Sequence, residues 1–331
     1  MSGEGGWELT ESDPGLFSSL LWDLGVKGVQ VEELVSLDPS TLAHLSPIHA
    51  MIFLFKHVND APSGPYATPE GSWFALQTIT NACATLALLN SVMNLAGEVD
   101  ASAPPVELGE ELSNLHAFTA DLGDPELRGA VLTNSERLRE VHNSFARSNP
   151  FALDEFAQHD EKEDAFHFIS FMRIRGHLYE LDGLRPQPID HGAVPTTGDG
   201  WLERATEVIG KRINTYAASE VRFNLMALCS DRMAALGADL AAQEAIATSS
   251  AEAARGDAQQ RIAQLQVEMA DERDKRARWA FENAMRRHNN VSLMHALLLE
   301  LAKAGKLDER IAAAKKTAAE RKEKRRAAQK G

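Results

Sequence analysis

Residues 164–183 read DAFHFISFMRIRGHLYELDG. Two runs rich in aromatic and aliphatic residues, 166–174 and 177–181, flank Arg175-Gly176, and a two-residue break of this kind predicts a β-hairpin. With that loop, Ile174 pairs with His177 and every pair of residue numbers adds to 351, so His167 faces Leu184 and Asp182 faces Ile169. Side chains alternate along a strand, which puts Asp182 on the same face as His167, two residues along from its partner. Diagonal neighbours of this kind lie roughly 7–8 Å apart, within reach of an Asp–His hydrogen bond. A carboxylate held against an imidazole fixes the tautomer and stabilises the imidazolium, the orienting role in a catalytic triad. A surface cross-strand His–Asp pair would read the same way.

The candidate nucleophile lies upstream. Asn81 suits a helix N-cap and would place Cys83 in the first turn of the apolar run ACATLALLNSVMNLAG, which ends at Gly97. Unpaired backbone N–H groups and the helix dipole favour an anion there, so a thiolate would be stabilised. A small cysteine packed on an apolar helix face has the same pattern. Cys83 and Cys229 are the two cysteines of the chain, which argues against a disulfide framework and for a reducing, intracellular setting.

Working outward, Ser12-Asp13-Pro14 signals a helix start, and Met51–Phe55 reads as a buried strand. Residues 58–71 are a loop, helices run to about Asn143, and 148–164 lack a clean period. Residues 190–200, DHGAVPTTGDG, read as another loop before a helix around 201–216 and a strand over Val221–Cys229. From about residue 232 strand signals stop and Ala, Arg, Glu and Gln dominate. Two domains are therefore expected, 1–232 and a helical extension over 233–331, with a helix break at Ala247–Ser250 or Gly256. At 331 residues with 44% hydrophobic and 25% charged residues, the composition is that of a globular protein. No apolar run reaches the roughly 18 residues of a membrane span, and the N-terminus does not read as a secretory signal. The net charge is −14, yet residues 315–330 carry eight Lys/Arg against two Glu, leaving the remainder strongly acidic. No metal-ligand spacing and no phosphate-binding glycine loop occurs, so neither metal nor cofactor is expected.

Three segments in order, Gln77-Thr-Ile-Thr-Asn81-Ala-Cys83, Asp164-Ala-Phe-His167-Phe and Leu178-Tyr-Glu-Leu-Asp182-Gly, resemble the active-site segments of the ubiquitin carboxyl-terminal hydrolases. The resemblance extends to Asn143–Arg147 and Arg222–Met226, and it is strongest to the larger, proteasome-associated branch with a helical C-terminal extension. It implies an α/β (α+β) papain-like cysteine protease with a mostly antiparallel sheet between helices and a knotted chain, followed by an all-α tail. Cys83 would be the nucleophile, His167 the base, Asp182 the orienter and Gln77 the oxyanion-hole donor. Many short members have Gly after the nucleophile where Ala84 stands here, a substitution the larger branch tolerates.

The same resemblance implies ubiquitin as substrate and a crossover segment, here about Ser148–Glu163, over the active site. It sets Phe223 near the ubiquitin-facing surface. Ubiquitin's tail carries arginines, so Glu32, Glu33 and the acidic stretch 161–164 are candidate contacts, though solvated surface charges look alike. From Val291 an apolar stripe that includes Met294, Leu298 and Leu301 could pack internally or dock on a partner. The resemblance implies a proteasomal ubiquitin-receptor subunit of the Rpn13/ADRM1-like type and, in some animals, a chromatin-remodelling complex. Arg321–Arg326 fits a nuclear import signal or a frayed, solvated helix end, and without interleaved aromatics it does not favour nucleic acid. The function expected is deubiquitination in cytoplasm and nucleus, tuned through the tail. A ubiquitin-binding proteasome assembly component with little activity alone is the alternative, and a thiol acyltransferase fits the residues but not the family.

Overall fold

The computed structural model describes residues 6–57, 61–96, 105–146, 166–215, 223–249, 252–288 and 291–328. Its centre is a six-stranded sheet built from β1 (Val29–Glu33), β2 (Ile48–Lys56), β3 (Phe166–Ile174), β4 (His177–Leu181), β5 (Ile189–Ala193) and β6 (Asn224–Ser230). The strand order is β1-β6-β2-β3-β4-β5, and each neighbouring pair is antiparallel. The last strand in sequence thus inserts between the first two. The segment over the active site expected at Ser148–Glu163 lies outside the described residues.

The central strands are apolar on both faces, so both faces are covered. On β2, Ala50 and Ile52 enter one core, and Met51, Phe53 and Phe55 enter the other. The first core is closed by α1 (Pro14–Asp23) and α3 (Cys83–Val92), the second by α7 (Trp201–Thr215), whose Trp201 is fully buried. The start signal at residues 12–14 is real: the Asp13 carboxylate accepts from Leu16 N at 2.7 Å, and Pro14 is in the first turn. The short helix α2 (Pro39–His44) links β1 to β2, and α4 (Gly109–Ala120), α5 (Pro125–Asn134) and α6 (Glu136–Ser144) lead toward β3.

Two parts of the sheet differ from the sequence reading. Residues 190–193, expected within a loop, belong to β5 together with Ile189, and 29–33, which carried no strand expectation, form β1. Both are five-residue edge strands, where pairing on one side tolerates the Asp, Gly and Glu that depress strand propensity.

The extension consists of α8 (Arg232–Ser249), α9 (Glu252–Arg287), α10 (Val291–Lys303) and α11 (Leu307–Ala328). Gly256 lies inside α9. The change of composition at 232 marks where strands stop, but packing continues past it: one compact unit runs through Arg287, and a second contains His288 onward. Helix α9, about 54 Å long at 1.5 Å per residue, seats Trp279 against α1. A Cβ on Gly15 would fall 2.4 Å from the Trp279 ring, so a glycine is needed at this crossing. Asn283 Nδ2 donates to Gly15 O at 3.1 Å and to Ser19 Oγ at 2.8 Å. Within the second unit, Gly305 (φ 67°) ends α10, and Lys306 N donates to Leu301 O at 2.9 Å, a Schellman-type stop.

Candidate active site

The hairpin sets the site. Arg175 and Gly176 both have positive φ, 48° and 79°, as a type I′ turn requires. The register runs from Ile174–His177 to Ser170–Leu181, in line with the pairing deduced from loop length. Asp182 therefore leaves the end of β4 beside the start of β3. His167 Nε2 and Asp182 Oδ1 are 2.6 Å apart, with both side chains at most 4% exposed. The same Oδ1 accepts from Leu184 N at 2.9 Å, and Arg185 Nε lies 3.5 Å from Oδ2, so the carboxylate is held at several points.

With Nε2 engaged by Asp182, the His167 ring also interacts with the neighbouring Cys83. Burial alone would push the imidazole down, but the bonds to Asp182 and Cys83 overcome it and raise the pKa to about 9. Burial likewise opposes the Asp182 charge, yet His167, the Leu184 N–H and the field of Arg212 hold its carboxyl below the ordinary value. Both displacements favour an ion pair across neutral pH.

Cys83 is the first residue of α3 and is half-buried, so its thiol remains accessible. Asn81, however, is not the cap. Ala82 holds that position without a side-chain bond, and Asn81 adopts a left-handed turn (φ 68°) with Nδ2 donating to Trp7 O at 3.0 Å. Asn favours both settings, which is why sequence alone chose the wrong one. The N-terminal arm reinforces this corner: His142 bridges Thr85 Oγ1 and Glu8 O, each at 2.7 Å, while its ring lies against Trp7. Those supports carried no signal in the sequence, since their partners are 57 and 134 residues apart.

Gln77 reaches the centre by backbone. Its N–H donates to Gly183 O at 2.8 Å, next to Asp182. A Cβ at Gly183 would lie 2.5 Å from Leu86 Cδ2 of α3 and 3.3 Å from Gln77 N, so this glycine lets strand end, helix and glutamine converge. The structure thus brings Cys83, His167, Asp182 and Gln77 into one corner. Cys229 is elsewhere: burial pushes its thiol pKa strongly up, and its Sγ faces Gln30 O at 3.6 Å.

A family model described as ubiquitin carboxyl-terminal hydrolase, family 1, matches residues 7–214, and one described as ubiquitin carboxyl-terminal hydrolases matches 262–307. The chain belongs to ubiquitin carboxyl-terminal hydrolase family 1. It is 40% identical over 303 residues to ubiquitin carboxyl-terminal hydrolase 2 of Schizosaccharomyces pombe, covering 90% of this chain and 91% of that protein. To the ubiquitin carboxyl-terminal hydrolase isozyme L5 of Dictyostelium discoideum it is 43% identical, over 71% of this chain and 65% of the relative. The crystal structure of Trichinella spiralis UCH37 bound to ubiquitin vinyl methyl ester superposes with a TM-score of 0.64 at 38% identity, covering 82% of this chain and 99% of that one. The protein is a ubiquitinyl hydrolase of the UCH37 type.

Other residues singled out in this hydrolase are dispersed. Phe223 is 43% exposed beside a groove of about 300 Å³ lined by Leu34, Val35, Leu37 and Ile213, with Glu33 at its edge bonded to Asn224 at 3.2 Å. Glu32 is instead tied to Lys275 and Gln30. On α10, Leu298 is exposed and Met294 and Leu301 half-buried. Among the described residues no cluster of His, Cys, Asp and Glu suits a metal, and no helix is long and apolar enough to cross a membrane.

Proposed function

We propose that this hydrolase cleaves amide and isopeptide bonds at the ubiquitin C-terminus through Cys83, His167 and Asp182. The observation that carries the reading is the buried 2.6 Å His167–Asp182 contact, with Cys83 beside the same imidazole at a helix start. The Cys83 thiolate attacks the carbonyl carbon of ubiquitin's last glycine, and the oxyanion is met by the Gln77 amide and the Cys83 N–H. Collapse breaks the C–N bond; the His167 imidazolium gives its proton to the departing amine, leaving a thioester. His167 then takes a proton from water as it attacks the thioester, releasing the ubiquitin carboxyl group and restoring the thiolate–imidazolium pair. Asp182 orients the ring throughout.

Ubiquitin would lie over the Phe223 groove, with Glu33 the better placed of the two glutamates for its arginines, since Glu32 already neutralises Lys275. The apolar face of α10 would dock on a proteasomal ubiquitin receptor of the Rpn13/ADRM1 type, in cytoplasm and nucleus, and the basic stretch 321–326 would serve import. Supporting this is the exposure of Leu293, Leu297 and Leu298 on that helix.

Ubiquitin vinyl methyl ester should label wild-type protein at Cys83 and fail with Cys83→Ala; a label on Cys229 sinks the assignment. Leu298→Asp should abolish capture by the receptor without changing the labelling rate. If it still binds, α10 is not the docking helix.

A further inference from the structure

Two positions before Asp182, on the same face of β4, Glu180 is buried at 1% exposure. Its carboxylate is met by Arg212 Nη1 of α7 at 2.5 Å, by His191 Nε2 of β5 at 3.0 Å and by Ser63 Oγ at 3.1 Å. The Arg212 guanidinium also lies over the Phe55 ring, 4.6 Å from its centroid. Phe55 is the cross-strand partner of His167, and its ring meets the imidazole edge-on at 6.0 Å. Arg212 thus stands one aromatic ring away from His167, in a setting where water screens little.

We infer that Arg212 and Glu180 form a compensated couple beside the catalytic pair, in which each buried charge offsets the other's field at the imidazolium. The inference rests on the triad reading above. Arginine stays charged at any working pH, so Arg212 opposes the proton on His167 while Glu180 favours it. As a couple they nearly cancel; alone, either one would be felt. Among the described residues, the other groups facing His167 are Asp182, Cys83 of α3, and His57 just beyond β2, with the two histidine ring centroids 5.6 Å apart. Arg185 faces Asp182, and Arg204 of α7 donates from Nε to His191 O at 3.1 Å. None of these is removed by changing Arg212 or Glu180.

The test is the pH titration of the His167 ring carbon by NMR in the full-length protein, its signal assigned by its loss in His167→Asn. Arg212→Gln should move the inflection up by about one pH unit and Glu180→Gln down by about as much. Arg212→Lys and the double variant Glu180→Gln/Arg212→Gln should titrate near wild type. Shifts in the same direction, or none in either single variant, overturn the inference, since a purely structural role moves no titration in opposite senses. Should a single variant fail to fold, the charge-neutral double variant and Arg212→Lys decide: displacement of either by a unit or more overturns it. Cys83→Ala separates the two readings. It should lower the inflection by removing the thiolate, and an unchanged value breaks the triad reading whatever Arg212 does.

Discussion

At the active centre, His167 and Asp182 are almost wholly excluded from water and meet each other through one 2.6 Å contact. Along α9 the cations are shared. Lys275 meets Glu32 and Glu272 and lies over Trp279; Arg276 meets Asp231, Glu272 and Gln30 and lies over Trp22. Both of those cations keep 24% of their side-chain surface. The centre is therefore singular and the seam redundant. A dry ion pair joined by one short contact concentrates the field that chemistry needs, whereas a wet, multiply bonded one distributes adhesion so that no contact dominates.

The largest expected effect is at the centre. His167→Asn removes the proposed proton carrier while keeping a polar side chain toward Asp182, and kcat/KM for a ubiquitin-amide substrate should fall about 10³–10⁴-fold. The thermal midpoint should move by only a few degrees. A loss below tenfold would break the claim that the centre is singular. Gln77→Ala comes next, with kcat lowered by about 10²-fold and KM nearly unchanged, because its amide is asked to act on the oxyanion rather than on bound substrate. A change confined to KM would move Gln77 from the oxyanion to ground-state binding.

The pH dependence sharpens the same contrast. His167 is raised from 6.5 to about 9, so its contribution to stability is fully present below about 6.5 and lost as pH rises through about 9. Asp182 is held below its ordinary value, so its contribution is present above that value and lost as pH falls through the lowered one. Activity should hold a plateau through neutral pH and fall on the alkaline side near 9, where the imidazolium loses its proton. An alkaline limb near 6.5–7, read from kcat/KM against pH, would mean that the Asp182 contact does not control the ring.

The hairpin was legible because its loop length, alternation and register are all local: Arg175-Gly176 sets the pairing, and the pairing delivers Asp182 to His167. The edges of the sheet were not, since β1 and β5 are short and carry Glu, Asp and Gly, residues that local propensity assigns to loops. Asn81 was misread as a cap because what decides its left-handed turn is the carbonyl of Trp7, 74 residues earlier. The reach of α9 was hidden for the same reason at longer range, as Trp279 needs the bare backbone of Gly15. Arg212 lies in the helix expected around 201–216, and nothing local marks it for burial. Only the tertiary placement of Glu180 turns it inward.

The smallest effect belongs to the end of the seam. Arg287 pairs with Asp23 at about 40% exposure of both side chains and spreads its guanidinium over Phe145, 4.1 Å from the ring centroid. Arg287→Ala should cost about 0.5–1 kcal/mol in urea unfolding, because exposed ion pairs and exposed cation–π contacts are each worth little. Arg287→Lys should fall between wild type and alanine, keeping the charge but not the planar stacking. Part of the loss should vanish in high salt, which screens the Asp23 pair and leaves the ring contact. Hydrolysis should stay within about twofold of wild type, since neighbouring Arg286 still holds Asp13 at 3.1 Å. If Arg287→Ala instead cost several kcal/mol, or silenced hydrolysis in a folded protein, adhesion along α9 would not be shared. The end of this helix would then belong with the singular contacts of the active centre.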